Sequence, residues 1–184
     1  TEHITKLAAD ASKTLGYLRR SLSLSPASLR KLAFETFVRT KMEYASAIWS
    51  PHQIYLINIL ESVQNRAARF ISANYDKRAS ISQIKSSLGL PVLSARRKIS
   101  RLCLFHKLYY SFPHLHGSLL LPPVRTSRRL FNSLSIQRLF GSTNAFNKSF
   151  LPTAIDEWNG LTDAIVSEQV AVNFRDLLLA TLDS

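Results

Sequence analysis

The sequence predicts a mainly α-helical fold, an antiparallel helix bundle with one late β-hairpin. Three observations carry this expectation. Apolar residues recur at steps of three and four in long stretches, and Pro and Gly punctuate those stretches. Only residues 134–149 alternate apolar with polar positions around turn chemistry. The chain has 184 residues and 46% hydrophobic content. A compact chain of this size has a radius of gyration of about 16 Å and hides about 70% of its unfolded surface, enough for a true core.

From Ile4, the residues Leu7, Ala8, Ala11, Leu15 and Leu18 form one amphipathic stripe, with Arg19 and Arg20 near its C-terminal end. Ser25-Pro26 opens a second helix. Leu29, Leu32, Ala33, Phe37, Tyr44, Ala45 and Ile48 line one side of it, and Phe34, Val38 and Met42 another. A helix apolar on two sides is expected to be packed by neighbours on both. Pro51 ends it, because the residue before a proline avoids helical geometry. A third helix runs from about Ile54 to Ala73. Its residues Leu56, Leu60, Val63, Ala67 and Phe70 have the 4, 3, 4, 3 spacing of a helix-on-helix seam, which leaves Arg66 and Arg69 facing outward.

A short helix near Ser80–Leu88 ends at Gly89. After Pro91 a long helix presents Ala95, Ile99, Leu102, Cys103, His106 and Tyr110, with Arg96, Arg97, Lys98 and Arg101 largely off that face, and Pro113 stops it. Residues 113–130 read as a loop. Leu134, Ile136 and Phe140 predict a strand, Gly141 to Asn144 a turn, and Ala145–Ser149 the return strand. Leu151, Ile155 and Trp158 mark a short helix closed by Gly160, and a last helix covers about Ser167–Leu182 with Val170, Phe174, Leu177 and Leu178 on one face.

Charge is the strongest functional signal. There are 24 Lys and Arg against 12 Asp and Glu, a net +12. Residues 61–149 hold 15 basic and 2 acidic residues, and residues 150–184 hold 1 basic and 6 acidic. Such a surplus points to a polyanionic partner. The single Cys excludes a disulfide framework and cysteine-based zinc fingers. No apolar run is long enough to span a membrane, and no leader resembles a signal peptide. The only Met is Met42, so Thr1 is expected to continue from a longer chain.

Catalytic patterns are missing: no G-x-S-x-G, no H-E-x-x-H and no P-loop. His114 and His116 could chelate a metal from an extended chain, but cations surround them and no carboxylate lies in 111–149. His106, on an apolar helix face, reads as a hydrogen-bonded interface residue, and Cys103 as a small buried hydrophobe. Asp10 is followed by Ala11, so the paired aspartates needed to hold two cations are not there. No catalytic residue, metal ligand or cofactor is expected. Three basic clusters suit phosphate contacts: Arg66 with Arg69; Arg96, Arg97, Lys98 and Arg101; and Arg125, Arg128 and Arg129. Phe70, Tyr75, Phe105, Tyr109 and Tyr110 lie close by and could stack bases, although core packing is the simpler expectation for them.

Several runs resemble the region just past the polymerase core of LINE-type, non-LTR retrotransposon proteins. They are Leu15-Gly-Tyr-Leu-Arg-Arg20, Phe37-Val-Arg-Thr-Lys-Met-Glu-Tyr-Ala-Ser-Ala-Ile-Trp-Ser-Pro51, Leu60-Glu-Ser-Val-Gln-Asn-Arg-Ala-Ala-Arg-Phe-Ile71 and Arg96-Arg-Lys-Ile-Ser-Arg-Leu-Cys-Leu-Phe-His-Lys107. Ser149-Phe-Leu-Pro152 and Glu157-Trp-Asn-Gly-Leu161 resemble the segment that closes this region. The flavour is that of the jockey and chicken-repeat-like group, abundant in arthropods including ticks.

The resemblance implies the thumb-like helices of a reverse transcriptase and the region beyond them. It gives a thumb-like character to the helical domain expected over 1–112, which charge and periodicity separate from a basic loop and hairpin over 113–149 and acidic C-terminal helices over 150–184. Arg39, Lys41, Arg66 and Arg69 match positions expected to touch nucleic-acid backbone. Fingers, palm and endonuclease are absent, so no polymerase activity carries over. The expected partners are RNA or an RNA–DNA duplex, and the upstream palm and fingers of the same polyprotein. An active element would place them in the nucleus or a ribonucleoprotein particle. The alternative is a scaffold whose helices only pack against the palm. Peripheral binding to an acidic membrane suits the charge but not the helices, whose apolar faces look sized for each other.

Overall fold

The computed structural model describes residues 2–124 and 132–182. Among these residues all regular structure is helical, so the mainly α expectation is met. The chain divides into two compact units. One is Thr1–Ser46 with Pro51–Arg96, and the other is Ala47–Ser50 with Arg97–Ser184. The division falls inside a helix, whereas the sequence reading marks segments at 112 and 149.

The first unit begins with α1 (Glu2–Ser21), which buries Ile4, Ala8, Ala11, Leu15 and Leu18, the foreseen stripe without Leu7. Pro26 then caps α2 (Ala27–Phe34), which runs through a π-helical turn (Glu35–Arg39) into α3 (Thr40–Glu43). Phe34, Val38 and Met42 are fully buried. Steps of four residues overshoot an α-turn by about 40° each, and the wider π-turn takes up that excess and keeps all three on the core side. The expectation of a second packed side is corrected: Leu29, Leu32, Phe37, Tyr44 and Ile48 are exposed. The expected unbroken helix is also corrected. It ends at Tyr44, and Ala45 takes a left-handed conformation (φ 52°) before the short α4 (Ser46–Trp49).

Helix α5 (Ile54–Ser72) buries the whole predicted seam. It ends on Ala73 in the left-handed region, with the Asn74 amide returning to the Arg69 carbonyl. Hydrogen bonds fix the directions. Lys41 reaches Thr14, Arg30 reaches the Phe70 carbonyl, and Arg66 reaches Ser12. Thus α1 and α5 run parallel, and the α2–α3 segment runs back between their ends. Ser80 caps α6 (Ile81–Ser87), and Gly89 follows at φ 61° as foreseen. Glu61 ties these pieces together. Its carboxylate accepts from Lys85 Nζ at 2.6 Å and from the Leu93 amide at 3.0 Å, at the start of α7 (Leu93–Ser111).

The second unit has one core, in which Phe105, Trp158 and Phe174 are completely buried. The unit contains the rest of α7, a 3₁₀ turn (Pro113–Leu115), α8 (Asn144–Asn147), α9 (Phe150–Asn159), α10 (Asp163–Val166) and α11 (Ala171–Leu182). In α11 Phe174 and Leu178 face inward, while Val170, just before it, and Leu177 are exposed.

The predicted β-hairpin does not form. Leu134 lies in a turn and residues 135–140 have no regular structure, and side chains take hydrogen bonds that a partner strand would have taken. Asn159 gives Nδ2 to the Ile136 carbonyl (2.7 Å) and accepts the Ile136 amide on Oδ1 (2.9 Å). Trp158 Nε1 donates to the Leu134 carbonyl, and the Gln137 amide to the Leu121 carbonyl. The expected return strand is α8, capped by Thr143, and Asn147 clamps both polar groups of Gly141. A Cβ on Gly141 would stand 2.6 Å from the Phe146 ring, so any larger residue there must displace that ring.

Candidate nucleic-acid interface

The cations singled out in the sequence fall into three groups. Those on α7 are mostly turned inward, which corrects the expectation that they project from the helix. Arg96 holds Glu43 with both arms of its guanidinium, Nη2 to Oε2 at 2.9 Å. The bond to Glu43 raises the Arg96 pKa above its ordinary value against the opposing effect of burial. Arg97 is 2% exposed. Arg101 forms a two-pronged bond to Glu157. Lys98 alone in this cluster is exposed. For Arg96 and Arg101 the reason is competition: carboxylates on other elements, Glu43 and Glu157, reach these guanidiniums, and their spacing within α7 says nothing of that.

The second group lies on the first unit. Arg39 is paired with Glu35 one turn earlier, and its side chain is 18% exposed. Lys41 is exposed and donates to Thr14 Oγ1 at 3.0 Å. Arg66 faces outward as foreseen, donating to Ser12 Oγ. Arg69 turns back instead, giving its two Nη groups to the Asp76 and Ala79 carbonyls and so holding the loop after α5. The third group, Arg125, Arg128 and Arg129, lies outside the described residues.

Sequence reasoning missed a basic end of the first unit. Arg69 and Arg30 anchor it, Arg30 donating to the Phe70 and Ser23 carbonyls. Arg19 sits over the Tyr75 ring, 5.7 Å from its centroid, and Tyr75 is 54% exposed. Arg20, Lys77 and Arg78 are exposed around them. The doublets Arg19-Arg20 and Lys77-Arg78 were the available signal. They lie 57 residues apart, too far for a linear reading to join them. Of the aromatic residues noted as candidate stackers, Phe70 and Phe105 are core. Tyr109 and Tyr110 are half-buried, with hydroxyl pKa values raised by desolvation.

The electrostatics of the first unit depend on which charges face out. It holds 14 Lys and Arg against 6 Asp and Glu, a net +8. Glu35, Glu43 and Glu61 are paired with Arg39, Arg96 and Lys85. Lys6, Lys13, Arg19 and Arg20 on α1 are exposed, as are Lys41, Arg66, Lys77 and Arg78, whereas Glu2 and Asp76 are the exposed carboxylates of this unit among the described residues. Asp10, its side chain 49% exposed, pairs with Lys13, and eight cations against three anions still make a field that attracts phosphate.

His106 and His116 have structural partners. His106 is buried, hydrogen-bonded to the Glu168 carbonyl at 2.8 Å and stacked on Phe174. His116 bonds the Tyr109 carbonyl. Cys103 is half-buried, and burial pushes its thiol pKa up. No helix among the described residues is long and apolar enough to cross a membrane. No family model, curated protein or solved structure matches this chain.

Proposed function

We propose that the chain is a non-catalytic part of a LINE-type retrotransposon reverse transcriptase, and that its first unit binds template RNA or an RNA–DNA duplex through backbone phosphates. The carrying observation is the outer surface of that unit, where eight cations face solvent while three of its six carboxylates, Glu35, Glu43 and Glu61, are paired with other basic residues. The residue runs between Leu15 and Leu161 that resemble such proteins support the parentage. Phosphate contacts position a nucleic acid without reading its bases, so binding is expected to be weakly dependent on sequence and strongly dependent on salt.

The test is a gel-shift titration at several salt concentrations. If about five phosphates are neutralised, log K falls against log salt with a slope of about −4.5 on duplex DNA. Replacing Arg20, Lys77 and Arg78 together by Gln should weaken binding to all sequences alike and flatten the slope by up to about 3. An unchanged slope would remove this end of the unit from the interface.

A second reading has its own observation. Leu29, Leu32 and Phe37 form an apolar strip that is 43%, 60% and 55% exposed. A scaffold that docks on the palm would use such a strip. It predicts tight docking to the separately expressed palm with negligible affinity for nucleic acid.

A further inference from the structure

A groove of about 540 Å³ lies on the first unit, lined by Leu7, Asp10, Lys13, Thr14, Lys41 and Tyr44. Its polar groups are held in place. Thr14 Oγ1 donates to the Asp10 carbonyl at 3.1 Å and accepts Lys41 Nζ at 3.0 Å, fixing one ammonium on the rim. Lys13 Nζ stands 3.2 Å from Asp10 Oδ1, and its side chain is 80% exposed. Two ammonium groups and one carboxylate line the groove. The Tyr44 ring, 82% exposed, stands at the rim. On α1 the stripe Lys6, Asp10, Lys13, Tyr17, Arg20 continues past the groove at steps of 4, 3, 4 and 3, one residue per turn. Tyr17 is 63% exposed on that stripe.

A tyrosine ring held out in water beside ammonium groups offers two things at once, a flat apolar face and a phosphate contact. Base pairs in a duplex turn their π-faces to one another, and only an unpaired strand can lay a base on an external ring. We propose that this groove is a track for single-stranded nucleic acid, with bases stacked on Tyr17 and Tyr44 and the phosphates between them neutralised by Lys13 and Lys41. This rests on the nucleic-acid reading of the first unit and narrows it from any phosphate backbone to an unpaired strand at this place.

The experiment uses the full chain, a labelled oligouridylate and an RNA–DNA hybrid of equal length, read by fluorescence anisotropy. The double variant Tyr17→Leu, Tyr44→Leu should lose about thirty-fold or more in affinity for the oligouridylate, the effect of losing two stacked bases, and keep its affinity for the hybrid. Tyr17→Phe with Tyr44→Phe should bind as wild type does, since the ring and not the hydroxyl is required. Lys13→Gln with Lys41→Gln should flatten the single-strand salt slope by about 1.4. An unchanged melting temperature for the leucine variant excludes unfolding as the cause of its loss. If the leucine variant binds oligouridylate as wild type does, the track is wrong although the phosphate-binding reading stands. If wild type binds neither probe, both readings fall.

Discussion

Arg101 and Glu157, 56 residues apart, meet as a fork on a fork: Nε to Oε2 at 2.8 Å and Nη2 to Oε1 at 2.7 Å. Their side chains are 11% and 19% exposed, so the pair is largely shielded from water. It joins α7 to α9 beside the second unit's core. A cation taken from the sequence as a phosphate ligand is therefore a structural clamp.

The first prediction tests that clamp. Arg101→Gln or Glu157→Gln leaves one charge shielded and unpaired, and each should cost about 3 kcal/mol in urea unfolding. Arg101→Lys should not restore the loss, because an ammonium cannot make the planar two-pronged bond. A double change to Met and Leu should recover most of it. Single variants with wild-type midpoints would mean that the pair contributes nothing.

Asn159 carries the second prediction. Its side-chain amide stands where a strand would pair with Ile136, both residues being buried. Asn159→Asp turns the donor at the Ile136 carbonyl into an acceptor and should cost about 2 kcal/mol or more. Hydrogen exchange at the Ile136 amide is the sharper reading. It should be slow in wild type and accelerate strongly in the variant, and an amide that exchanges freely in wild type would count against the clamp.

The third prediction concerns acid. The Ser133 amide and hydroxyl donate to Asp163 and hold its carboxyl below the ordinary carboxylate range, the amide bond at 2.6 Å acting most. As pH falls, the unfolded chain binds this proton first, near the usual value of about 4. The stabilisation from Asp163 is thus complete above that value and is lost as pH falls toward the lower folded pKa. Asp163→Asn should make the stability curve shallower between about pH 5 and pH 2. Parallel curves for the two proteins would show that the bond does not form in solution.

Helix existence was legible because a buried stripe is written in the spacing of its own residues. The α5 seam from Leu56 to Phe70 and the Gly89 stop are local facts, and each appears in the fold. The hairpin was misread because alternation such as that at Leu134, Ile136 and Phe140 also occurs in an irregular segment. It is silent on whether the hydrogen bonds go to a strand or to Asn159 and Trp158. The two-sided second helix was misread for a related reason. Periodicity marks both the Phe34 side and the Leu32 side as apolar, but one neighbouring layer is present, and it covers Phe34.

The site divides along the same line. Net charge, the lack of catalytic patterns and the helical class depend on composition and short-range spacing, so the chain of residues was sufficient to establish them. Which cations face solvent depends on which carboxylates fold against them. Glu43 takes Arg96 and Glu157 takes Arg101, across 53 and 56 residues. Arg19 and Tyr75, also 56 residues apart, come together only when α1 and α5 lie side by side. Coulomb attraction acts through space and not along the chain, so packing rather than the order of residues assigned each basic side chain to the interior or to the surface.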